Sequence, residues 1–148
     1  MKWKQHFDKP FVLYHLSEKD LNGQTLHPRK MEKDRVMEGE DWRSKRICVS
    51  TSIDGALSSL ASCMTCPFGE KFYVHTLTNL DELFMHDKVY KPSKKQVPDA
   101  EATGEHWLKA PATLECIGKV EIIDIKPNSP SNMTDAFIWK WLSEEKQT

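Results

Sequence analysis

The stretch Arg46-Ile-Cys-Val-Ser-Thr-Ser-Ile-Asp-Gly-Ala-Leu-Ser-Ser-Leu60 decides how this chain is read. Ile47, Cys48 and Val49 are a short β-favouring run of the kind buried in a sheet. Ser50, Thr51 and Ser52 end that strand, and Ser52 is a good helix N-cap because its hydroxyl can accept from a free N–H of the first turn. Ile53, Ala56, Leu57 and Leu60 then recur at helical spacing and give the helix one apolar face. A strand end bearing hydroxyls beside a helix N-terminus suits an anionic or polar ligand. Many such turns are structural only.

Upstream of this unit, Phe11 to Tyr14 reads as a strand that delivers His15, Leu16 and Ser17 at its end. Thr25 to Arg29 is extended, since Pro28 disfavours helix at His27. Residues 30–45 are densely charged and weakly periodic, which predicts an exposed loop with Trp42 as an anchor. Downstream, Lys71 to Thr76 alternates as a strand, and Leu80 to Phe84 reads as a helical turn capped by Asn79. His106 to Lys109 and Ala112 to Ile125 read as strands, with Gly118 marking a bulge. The tail over 131–148 is expected to be an amphipathic helix packing through Phe137, Ile138, Trp139 and Leu142. The predicted fold is a single α+β domain with a central mixed or antiparallel sheet and that C-terminal helix.

With 148 residues, 39% of them apolar and 29% charged, the chain has the composition of an ordinary globular domain. A formal net charge of −1 gives no support to general nucleic-acid binding. No apolar run is long enough to cross a bilayer, and the N-terminal lysines are followed by no apolar signal region. These features, with four cysteines, lead to the expectation of reduced thiols in a cytoplasmic setting.

Cys63-Met-Thr-Cys66 is compatible with half a zinc site, a redox pair or an incidental pair in a loop. The six histidines form no metal signature, and no metal is expected. His75 reads as structural, whereas His15 and His106 sit at strand ends where a functional or a structural role fits equally well. Walker, GxGxxG, GxSxG and HExxH motifs are absent from the sequence.

Three stretches together resemble the ADP-ribosyltransferase fold, in its diphtheria-toxin and poly(ADP-ribose)-polymerase branch. Leu13-Tyr-His-Leu-Ser17 is similar to that family's strand ending in His-Gly-Ser. The strand-to-helix unit at 47–57 is similar to the element walling the NAD pocket. Thr103-Gly-Glu-His-Trp-Leu108 resembles the strand that supplies the catalytic glutamate. The same series is similar to small proteins of phages and Gram-positive bacteria. The resemblance implies NAD as a substrate, with His15, Leu16, Ser17, Ser50, Thr51 and Ser52 around it. His15 would hold a ribose, the Leu16 backbone the nicotinamide amide, and Glu105 the developing positive charge as nicotinamide leaves. Leu16 departs from the family's glycine, and no tyrosine follows in the helix. Two alternatives keep these residues without catalysis. One is an accessory module that binds a nucleotide or a host protein. The other is an unrelated domain making protein contacts through partly exposed Trp107, Trp139 and Trp141.

Overall fold

A computed structural model describes residues 12–30, 43–61, 68–93, 95–96, 104–126 and 136–142. Among them are strands β1 (His15–Ser17), β2 (Thr25–Leu26), β3 (Ile47–Ser50), β4 (Lys71–Leu77), β5 (Val89–Tyr90), β6 (Glu105–Leu108), β7 (Ala112–Lys126) and β8 (Ala136–Trp141). Two helices accompany them, α1 (Ile53–Ala61) and α2 (Leu80–Met85). The CxxC pair, Trp42 and most of the charged 30–45 segment lie outside the described residues.

β7 is the spine of the larger sheet. Its one edge pairs with β4, which in turn pairs with β1, and its other edge is shared by β2 and β8. The smaller sheet runs β3-β6-β5. All of these pairings are antiparallel. The larger sheet buries Leu16, Phe72, Val74, Val120, Ile122 and Phe137 against Ile53 and Leu57 of α1. The smaller sheet packs Ile47, Val49, Val89 and Leu108 against Leu83 and Phe84 of α2. Strand alternation therefore sends one face of each sheet to a helix.

Ser52 caps α1 as its sequence implies, accepting the Gly55 amide at 2.9 Å. Asn79 behaves differently. It makes no side-chain cap; instead its Nδ2 donates to the Pro111 carbonyl at 3.1 Å and its Oδ1 accepts the Thr113 amide at 3.1 Å, fastening α2 to β7. The bulge expected at Gly118 is present, as β4 and β7 change register there. Trp141 lies over Gly118, where a Cβ would come within 2.7 Å of the indole ring.

The expected C-terminal helix is corrected: residues 136–141 form a strand hydrogen-bonded to β7 from Val120 to Lys126. Phe137, Trp139 and Trp141 recur at every second residue, whereas Phe137, Ile138 and Trp141 fit helical spacing, and aromatic and β-branched side chains favour the sheet. The long edge of β7 decides between them, since without β8 its amides and carbonyls from 120 to 126 would lack these strand partners. Trp139 Nε1 donates to Asp54 Oδ1 at 2.6 Å, so the same strand also clamps α1. Of the strand expected over 11–14, Phe11 lies outside the described residues, Val12 and Leu13 are in no strand, and pairing with β4 begins only at His15.

Phe137 is 6% exposed within the larger core. Phe137→Ala is expected to cost about 3–5 kcal/mol of unfolding free energy, measured by urea denaturation. A loss below about 1 kcal/mol would mean that β8 is not a core strand.

Candidate functional site

Backbone pairing links the two sheets beside Tyr14. Tyr14 and Ser50 exchange backbone hydrogen bonds, 2.8 Å from Tyr14 N to Ser50 O and 3.0 Å in return. An antiparallel continuation would set His15 beside Val49 and Leu16 beside Cys48. Instead β1 turns to β4, pairing His15 with His75, Leu16 with Val74 and Ser17 with Tyr73. The strands thus part just beyond Tyr14 and leave a fork between β1 and β3. Further along, Arg29 and Arg46 exchange backbone bonds of 3.1 and 2.9 Å, so the Arg29 segment takes up the next part of the β3 edge.

Backbone groups of alternate residues in a strand point to opposite edges. The Tyr14 amide and carbonyl point to β3, so those of Leu16 point the same way, into the fork and away from β4. Among the described residues no strand pairs with this edge of β1 beyond Tyr14. The Leu16 side chain goes elsewhere. It is buried in the larger core, so its bulk does not occupy the fork.

The His15 side chain reaches across from β1 to β3. Its Nδ1 lies 3.3 Å from the Cys48 carbonyl, which can only accept, so Nδ1 carries the hydrogen and Nε2 of the neutral ring carries a lone pair. His15 is held below its ordinary value of 6.5, mainly by burial. The Cys48 bond opposes that shift, while His75 and the Arg29 guanidinium add to it. Arg29 is exposed and its charge is felt at His15, so the fork carries a cation near its far end.

The serines divide their work. Ser17 Oγ accepts the Lys19 amide at 3.0 Å, which stabilises the turn after β1. Ser50 is buried, opposite Glu105 in register, with its Oγ 3.4 Å from the Ser52 amide. Thr51 donates its amide to the Gly104 carbonyl at 3.1 Å. A Cβ at Gly104 would collide with the Thr51 hydroxyl, and its φ of +70° suits glycine. Close approach of 104 to 51 is what seats Glu105 beside Ser50. Ser52 caps α1.

Glu105 is only 6% exposed, and its Oε2 accepts the Trp107 indole N–H at 2.7 Å. Trp107 is wholly buried, which corrects the expectation of a partly exposed contact residue. The Arg46 guanidinium stacks 4.1 Å from its ring centroid. The structure therefore brings the three motif strands together as neighbours β1, β3 and β6, but holds the carboxylate buried on the apex side of the fork. His106 is buried too, its Nδ1 2.9 Å from the Gly104 carbonyl.

Sequence reading gave Trp107 a different role and assigned none to the Arg29 side chain. The spacing of Glu105 and Trp107, two apart in a strand, is the signal that places them on one face. His75 is held at both ring nitrogens. Its Nδ1 is 3.1 Å from the His15 carbonyl and must donate, while Nε2 accepts the Leu21 amide at 2.9 Å. Burial lowers its pKa, against the opposing effects of the His15 carbonyl and the Asp20 carboxylate.

Both histidines thus have folded-state values below 6.5. The unfolded chain takes up their protons first as pH falls, so their contribution to stability is complete above 6.5 and is lost as pH drops toward the lowered folded-state values. The urea midpoint should hold steady between about pH 7 and 8 and fall by about pH 5.5, with a shallower fall in His75→Gln. A midpoint that rises on acidification would contradict the assignment.

Among the described residues no helix is long and apolar enough to cross a membrane. No family model, curated protein or solved structure matches the chain.

Proposed function

We propose that the chain binds NAD in the β1–β3 fork and, as an ADP-ribosyltransferase-like enzyme, cleaves its nicotinamide–ribose bond. The observation that carries this reading is the Leu16 edge. A carboxamide offers one acceptor and two donor hydrogens, and the paired N–H and C=O of one strand residue complement it. His15 Nε2, neutral near pH 7, accepts from a ribose hydroxyl. The Arg29 guanidinium is available to a pyrophosphate. Glu105, across from Ser50, supplies the negative charge that stabilises an oxocarbenium-like ribose as nicotinamide departs. The Trp107 indole fixes that carboxylate in one orientation.

One observation favours a second reading. Glu105 is buried, so catalysis requires it to be uncovered when ligand binds. If it stays covered, the fork is the recognition site of a catalytically inactive nucleotide- or protein-binding accessory protein of phage or bacterial origin.

Calorimetry with NAD tests both. Saturable binding is expected in the parent protein and should weaken at least about tenfold, or about 1.4 kcal/mol, in His15→Ala. Glu105→Gln should keep binding but lose nicotinamide release. Binding without nicotinamide release from the parent would select the second reading. Absence of binding at about 1 mM NAD would end the enzyme reading and turn the search to other nucleotides and protein partners.

A further inference from the structure

Behind the fork a second group of side chains converges. Asp20, His75 and Cys116 each bring a ligating atom to within 4.8 Å of the other two. They come from the loop after β1, from β4 and from β7. The bulge between β4 and β7 aligns two of them: Val74 faces Gly118 but His75 faces Cys116, leaving Ile117 as the extra residue. Imidazole and thiol therefore stand directly cross-strand on one face. The loop bearing Asp20 is fastened above them. Asn22 Oδ1 accepts the Cys116 amide at 2.9 Å, and the Asn22 amide donates to Asp20 Oδ1 at 2.9 Å.

His75 is set up as a ligand. Its Nδ1–H donates to the His15 carbonyl at 3.1 Å, the outer-shell bond that fixes tautomer and ring orientation in metal-binding histidines. That leaves the Nε2 lone pair directed at the loop, where it now accepts the Leu21 amide at 2.9 Å. A cation would take the place of that amide hydrogen.

We propose that Asp20, His75 and Cys116 bind a zinc-class divalent ion through carboxylate, imidazole Nε2 and thiolate, with water as the fourth ligand. The mixture of sulfur, nitrogen and oxygen matches a borderline-soft ion and not the all-oxygen preference of calcium or magnesium. Tetrahedral zinc needs ligand atoms roughly 3.4–3.8 Å apart. Asp20 is exposed, so it can close the remaining distance as the Leu21 amide lifts from the ring. Cys116 releases its thiol proton to solvent as the metal–sulfur bond forms. The site stands apart from the NAD reading, and either can fail without the other.

Cys63 and Cys66 would compete for metal, so the test uses the Cys63→Ser/Cys66→Ser protein titrated with cobalt(II). One cobalt per chain is expected, with a thiolate-to-cobalt charge-transfer band that zinc displaces. Adding Cys116→Ser should abolish the band, and adding Asp20→Asn should weaken binding at least tenfold. Cys116 is only partly buried and Asp20 exposed, so both variants are expected to fold, which near-ultraviolet circular dichroism verifies. No band in the doubly substituted protein would overturn the site. So would a band that survives Cys116→Ser, or an affinity unchanged by Asp20→Asn.

Discussion

The pair of backbone hydrogen bonds between Tyr14 and Ser50 is the joint on which this structure turns. On one side of it the chain belongs to the larger sheet, on the other to the smaller, and each sheet is covered by its own helix. Had β1 continued along β3, the edge groups of Leu16 and Cys48 would have paired and the two sheets would have been one. β4 holds the opposite edge of β1 through His15 to Ser17, while pairing with β3 stops after Tyr14, at the point where β1, β3 and β6 lie side by side. Among the described residues, the end of β1–β3 pairing beyond Tyr14 is what forms the fork.

This arrangement separates the side chain of Leu16 from its backbone. The isobutyl group adds to the core beside Phe72 and Val74, while the peptide groups face the opening. The Leu16 side chain points away from the fork into the core. Around the joint the contacts are tight. Gly104 lies against Thr51, Ser50 faces Glu105, and the Glu105–Trp107–Arg46 stack fills the space behind them. Rigid backing of this kind suits a site that must hold a small planar group in one orientation.

Much of the framework was legible in the residues. Ile47 to Leu57 is a strand, a hydroxyl turn and a capped helix because each residue's local preference agrees with its final place. β4 and β7 follow from their alternating and β-branched content in the same way. The tail from 136 to 141 was ambiguous, since Phe137, Trp139 and Trp141 fit one period, Phe137, Ile138 and Trp141 fit the other, and only the waiting edge of β7 chooses. Asn79 looked like a cap but serves as a bridge to β7, a role visible only once Thr113 is beside it. The fork itself could not be read locally. It arises where β1 leaves β3 for β4, and no residue between 13 and 17 encodes that divergence on its own.

The central claim is that the Leu16 backbone in this fork receives a carboxamide. Amide NMR during a titration with nicotinamide tests it most directly. The account predicts saturable shifts centred on the amide of Leu16 and on neighbouring residues of β1 and β3, with little change along β8. Shifts absent from Leu16, or spread evenly over the molecule, would contradict it.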